Sequence, residues 1–453
     1  MRHFDLAIIG TGSGNSILTK EFDGWDVAIV ERGKFGGTCM NVGCIPTKMY
    51  VYAADVAETI RGASRYGIDG TVDKVRWTDI RDRIFGRIDP IAVAGERYRT
   101  EDNPNVTVYK GQCRFVGPKR LDTGTGETIT ADRFVLAAGA RPNVPPDVSL
   151  AGVDFHTSDT VMRLDTLPPR MVILGGGYVA TEFAHVFSAL GVQVSIVARG
   201  DALLRHHDET VSQRFTALAR DRWDMHLGQV PARVQRVGPE VVVTLPDGTT
   251  VAGEELLVAV GRAPNGDLID ATATGVAMHP DGRVVVDEFQ RTAVDGILAL
   301  GDICSPFQLK HVANHEARVV RHNLLHPDAP VAADHRFVPS AVFTDPQLAS
   351  VGLTEAECRA AGLDYAVAVQ DYATVAYGWA LEDTTGFCKV LAERGTGRLL
   401  GAHVMGPQAP TVVQPLIQAM SFGLGATDMA VGQYWIHPSL PEVVENALLA
   451  LDL

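Results

Sequence analysis

The chain has 453 residues, 46% of them hydrophobic and 21% charged, which is length enough for two or three domains with large cores. Its 40 Lys and Arg against 54 Asp and Glu leave a net charge of −14, which excludes nucleic acid or an anionic membrane as the main partner. No apolar run approaches the roughly 20 residues of a membrane span, the opening "MRHFD" enters a strand with no room for a signal peptide, and six cysteines in so long a chain make no structural disulfide framework, so the expected compartment is the cytoplasm.

The first element, "FDLAIIGTGSGNS", is an apolar run breaking into a glycine turn and reads as strand, tight turn, helix. Gly10 makes the turn, Gly12 admits a pyrophosphate close to the backbone, and a following helix N-terminus favours its charge. The third fingerprint position is Asn15, with Gly14 one place early. A second strand, "DVAIVE", ends in Glu31, 21 residues after Gly10, where an acid holds a ribose hydroxyl.

Next comes "GTCMNVGCIPTK", residues 37–48, with Cys39 and Cys44 five apart. A regular helix separates such residues by about 8.6 Å between Cα atoms, and a disulfide wants less than about 7 Å. A bridge therefore needs a distorted backbone, which Gly43 permits. At a helix start the dipole would favour a thiolate. The rival, half of a zinc site, lacks a second close pair: Cys113, Cys304, Cys358 and Cys388 are scattered and read as buried small hydrophobes, and no metal is expected.

The stretch "RMVILGGGYVATEFA" repeats the dinucleotide pattern at Gly175, Gly177 and Ala180, 165 residues after the first. At the end of its second strand, where an NAD site places an acid, stands Ala198, followed by Arg199 and Arg205. Two guanidiniums in place of a carboxylate suit a 2′-phosphate, so NADPH is expected over NADH; the rival is a pair of solvated surface charges. Two dinucleotide sites in one chain imply a relay from nicotinamide through FAD to an acceptor. "TAVDGILALGDIC" then ends a strand in Gly301-Asp302, where an acid can hold the ribityl chain, and the helix of "LKHVANHEARVV" can turn its positive end to the flavin's pyrimidine edge. Near the C-terminus, in "YWIHPSLPEVVENALL", Pro438 and Pro441 discourage a helix, so a turn can bring Glu442 back to one nitrogen of His437 and leave the other to exchange a proton with a thiol.

With "GTGSGN", "GGTCMNVGCIPTK", "LAAGARPNVP", "GGGYVATEFA", "VGRAPN", "GILALGD", "VFTDPQLASVGLTE" and "HPSLPE" in order, the whole chain resembles the pyridine nucleotide–disulfide oxidoreductases, the glutathione reductase-like flavoproteins. The resemblance implies an α/β fold with two Rossmann-like FAD- and NAD(P)-binding domains and a C-terminal α+β dimerisation domain. Its divisions would be an FAD domain (1–147), an NADPH domain (148–263), a second part of the FAD domain (264–335) and an interface domain (336–453). It makes Cys39 the interchange thiol, Cys44 the thiol beside the flavin, Lys48 a flavin neighbour paired with Glu182, and Tyr178 a side chain that moves when nicotinamide docks. It places Gly10, Gly12, Gly14, Glu31, Gly37, Thr38, Gly111, Ala138, Gly139, Asp302 and His311 at the FAD. Gly175, Gly177, Ala180, Arg199, Arg205 and Gly261 fall at the NADPH. His437 and Glu442 would reach in from the other subunit of a homodimer. The form "GGTCMNVGCIPTKMYVYAAD" with the arginine pair is nearest to members that reduce the small-molecule disulfide of mycothiol. Ala198, and an end "ALLALDL" without a cysteine pair, set the chain apart from NADH-using members and from those with C-terminal thiols; a glutathione reductase-like or dihydrolipoamide dehydrogenase-like activity and, more remotely, a non-catalytic flavin-binding sensor are the alternatives.

Overall fold

The computed structural model describes residues 1–149 and 151–453. Apolar runs such as Leu6-Ala7-Ile8 are wholly buried, as parallel strands covered on both faces must be. They build a first sheet with parallel strands in the order Val106–Lys110, Val27–Glu31, Arg2–Ile9, Thr128–Leu136 and Ile297–Ala299. Its last parallel strand comes from far along the chain, so this unit is assembled from two separate stretches. A second parallel sheet runs Asp224–Leu227, Gln193–Ala198, Arg170–Leu174, Glu255–Val258. The chain enters and leaves that unit through a two-stranded ribbon, Ala140–Pro142 against Arg262–Pro264. The C-terminal part is a five-stranded antiparallel sheet, from Ser340–Val342 to Tyr365–Asp371, covered by helices that include Gln414–Phe422 and Glu442–Leu449. Among the described residues no helix is long and apolar enough to cross a membrane.

Both glycine turns have one geometry. Gly10 has φ +103°, and a Cβ there would lie 2.3 Å from the Ala137 carbonyl oxygen; Gly175 has φ +129°, and its Cβ would lie 2.2 Å from that of Ala259. Only glycine fits either place.

The segment after the first turn departs from expectation. In place of a long helix, Ser13–Ile17 forms a single 3-10 turn, the chain extends at Leu18, and Lys20–Phe22 forms another. Ser16 donates its hydroxyl to the Ser13 carbonyl, a local bond that competes with helix continuation. The carbonyls of Asn15 and Leu18 are met by the buried Arg99 guanidinium, at 3.0 and 3.4 Å, which also donates to Asn15 Oδ1. Close packing beneath the turn belongs to Gly14, whose Cβ would stand 2.6 Å from that of Ala137.

The second unit is locked to the C-terminal sheet by a buried cation. Lys389, 2% exposed, donates to Asp208 at 2.8 Å and to Glu355 at 2.6 Å, while Asp208 caps the helix Glu209–Ala219. Breaking one partner of a buried ion pair costs about 3–5 kcal/mol. Lys389→Met is expected to lower the thermal unfolding midpoint, whereas removing the exposed partner of Arg97 with Glu101→Gln should leave it within experimental error.

Candidate active site

A cavity of about 710 Å³ opens where the three units meet. Its walls include the first glycine turn, the cysteine segment, Gly111, Ala138 and Gly139, Asp302 and the start of the helix Lys310–Leu325. Gly37 backs onto Gly12 so closely that a Cβ on it would be 2.7 Å from the Gly12 Cα, leaving a trough of bare backbone. Thr11 donates to the Glu31 carboxylate through both its N–H (2.9 Å) and its hydroxyl (2.6 Å), and Gly33 N–H donates to the other oxygen, so the acid is held rigidly at the rim. Burial pushes the Asp302 carboxyl above its usual range, against the opposing charges of Arg262 and Lys310. A glycine trough with an acid at each end fits the pyrophosphate, ribose and ribityl groups of FAD.

The thiols sit where the backbone breaks. A short helix, Gly37–Asn41, carries Cys39 and ends at Val42; Gly43 leads into the helix Cys44–Arg61, whose first residue is Cys44. A Cβ on Gly43 would stand 2.9 Å from the Thr38 carbonyl oxygen and 3.2 Å from the Cys39 Cα, so glycine is what allows the sulfurs to meet. Both are thiols here, and Cys39 S–H donates to Cys44. That hydrogen bond, helped by the Lys48 ammonium and opposed by burial, pulls Cys44 down to about 7; giving up the bond, with burial, pushes Cys39 far up. Of the two sulfurs, Cys44 is the one whose surroundings favour the thiolate.

Lys48, one turn along the same helix, donates to both oxygens of Glu182 at 2.7 and 2.6 Å. Glu182 also accepts the Phe343 N–H at 2.9 Å and is 3% exposed. Tyr178 and Glu182 line the cavity from the second unit, while Gly175, Gly177, Ala180 and Gly261 stand outside it. Arg199 and Arg205 are exposed beyond the strand Gln193–Ala198, with Arg205 folded over Gly200. The His311 ring is turned to the Pro339 carbonyl at 2.9 Å. His437 donates from Nδ1 to Glu442 at 2.6 Å, and Glu442 also takes the Ser439 N–H. Burial works against these two bonds, yet they hold the Glu442 carboxyl below its ordinary range. The His437 side chain is 72% exposed and lines no part of the cavity. Among the described residues no cluster of His, Cys, Asp and Glu is arranged to hold a metal, and the other four cysteines are buried.

The sequence profile "Pyridine nucleotide-disulphide oxidoreductase" matches residues 4–317, and the dimerisation domain of the same family matches residues 338–448. The chain belongs to that family. It is 58% identical to the mycothione reductase of Mycobacterium tuberculosis over the full length of both, and 32% identical to the glutathione reductase of Burkholderia cepacia over 97% of each. The structure of an HOCl-induced flavoprotein disulfide reductase from Escherichia coli, RclA, superposes with a TM-score of 0.87 at 27% identity, covering 98% of this chain and 99% of that one. The protein is accordingly an NADPH-dependent flavoprotein disulfide reductase with FAD as cofactor, and it pairs with a second copy through its C-terminal domain.

Sequence reasoning missed Lys310, Arg262, Asn265 and Phe343 on the cavity wall. Lys310 lies within a quoted stretch, but its contact is with Ser13 at the other end of the chain, and no spacing rule reaches that far.

The opposed charges beside Cys44 make a signed prediction. The long-wavelength thiolate-to-flavin absorbance of the reduced holoprotein should disappear as pH falls through about 7. Lys48→Met removes a charge that favours the thiolate and should move that midpoint up. Glu182→Gln removes one that opposes it and should move the midpoint down. Equal shifts of one sign would contradict the assignment.

Proposed function

We propose that this enzyme reduces mycothione, the disulfide of mycothiol, and does so in the cytoplasm. The observation that carries the reading is the thiol pair at a helix start, with Cys44 the more readily ionised of the two, in a chain 58% identical over its whole length to a protein named mycothione reductase. We assign the FAD unit to residues 1–147 and 264–335, the NADPH unit to 148–263 and the interface unit to 336–453.

Bound FAD supplies the two-electron step between the hydride of NADPH and the Cys39–Cys44 disulfide. Arg199 and Arg205 take the 2′-phosphate, and Tyr178 covers the nicotinamide position until the coenzyme docks. In the reduced pair Cys39 still holds its proton, so a base must remove it before attack. His437 of the partner subunit, fixed by Glu442, is that base. The Cys39 thiolate attacks one substrate sulfur, the substrate S–S bond breaks, and the leaving thiolate takes the proton from His437. Cys44 thiolate then attacks the Cys39 sulfur, restoring the disulfide and expelling the second product as a thiolate that takes its proton from water. Each site needs two chains because its acid–base pair stands outside the cavity that holds its thiols.

NADPH oxidation measured with mycothione, glutathione disulfide and lipoamide side by side tests the substrate, and a preference for glutathione disulfide would overturn it. Arg199→Ala and Arg205→Ala should each lower kcat/KM for NADPH by about 10- to 100-fold, the worth of a charged hydrogen bond, and leave NADH use little changed. Mixed dimers of Cys39→Ser and His437→Gln chains contain one intact site if sites are shared between subunits. Recovery of activity on mixing is the expected result, and its absence would place each site within one chain.

A further inference from the structure

The helix Lys310–Leu325 opens with a cation at its positive end, the end of a helix where the dipole disfavours it. Lys310 is half-buried and on the cavity wall. Its ammonium donates to Ser13 Oγ at 2.8 Å, and that hydroxyl donates onward to Asn314 Oδ1 at 3.0 Å. Among the described residues it has no carboxylate in ion-pair contact. Asp302 on the same cavity wall draws on this charge through space without reaching it, so the partly desolvated ammonium keeps its direct contacts open to a bound anion.

The group it touches belongs to the first glycine turn, and here the two dinucleotide sites differ. The second turn opens onto a helix of 12 residues, Tyr178–Ala189, whose dipole points at the ligand. The first opens onto the 5-residue 3-10 turn Ser13–Ile17, too short to provide that field. The backbone cradle is present in both, but the helical charge is present in only one.

We propose that Lys310 binds the pyrophosphate of FAD and supplies, from the helix across the cavity, the positive charge that the shortened segment after Ser13 lacks. The proposal rests on the reading that this cavity holds FAD. The competing target for the same charge is the thiol end of the cavity, because the Lys310 ammonium also eases ionisation of Cys39.

The test compares holoproteins of the wild type, Lys310→Gln, Lys310→Met and Lys310→Arg, measuring FAD released on dilution by its fluorescence, together with the midpoint potential of the bound flavin. Lys310→Gln should weaken FAD retention by about 10- to 100-fold, Lys310→Arg should restore most of it, and the potential should stay at the wild-type value. Lys310→Met keeps the apolar stem and covers a folding failure of the glutamine variant. Unchanged FAD retention in both neutral variants would overturn the proposal, and a shifted potential with unchanged retention would move the charge's role to the flavin ring. A wild-type protein purified without FAD would instead overturn the reading of the cavity.

Discussion

The site depends on one buried carboxylate. Glu182 belongs to the second unit, is met by Lys48 from the cysteine helix, and accepts a backbone N–H from Phe343 of the C-terminal part. A carboxylate taken out of water is costly unless its oxygens are filled. Here they are filled only when all three units are docked. A second rung joins the same two helices, where the wholly buried His185 reaches Asp55 at 2.8 Å. The cysteine helix is thereby held against the nucleotide unit at two heights, and the Lys48 charge stays beside Cys44.

This placement decides which sulfur ionises more readily. Lys48 and the Cys39 hydrogen bond both favour Cys44. It leaves Cys39 the harder of the two to ionise. His437 is displayed on the outer surface, on a segment that also exposes Tyr434 and Ile436, with Phe422 exposed on another helix of the same domain. Large apolar side chains left in water beside a well-oriented imidazole mark a surface meant to be covered. A second copy, paired through this dimerisation domain, supplies the cover.

Much of this was legible in the sequence where the chemistry is local. The turns at Gly10 and Gly175, the thiols five residues apart and His437 with Glu442 each lie within one short stretch, so spacing and turn rules reach them. The Lys48–Glu182 pair spans 134 positions and was accessible only through family resemblance. The collapse of the first helix was not legible, because the bonds that replace helical continuation include those of Arg99, which lies 84 positions from Asn15. Lys310 escaped for the same reason, since it meets Ser13 across 297 positions. A contact made by the fold leaves no periodicity behind it.

The two glycine turns show how one backbone solution serves two different tasks. Their central geometry is the same, a glycine pressed against the carbonyl of a neighbouring strand end. Around the first, Thr11 and Ser13 are buried, and the cysteine segment and the helix beginning at Lys310 close over it. Around the second, Gly177, Arg199 and Arg205 are exposed. A group bound in the first place would have to displace packed structure to leave, whereas one bound in the second would meet a helix dipole and solvent-facing charges that salt can screen. A resident cofactor needs the former and a coenzyme exchanged at every turnover needs the latter. The Lys48–Glu182 bridge lies on the boundary between them, so the electrons pass where the tightly enclosed site meets the open one.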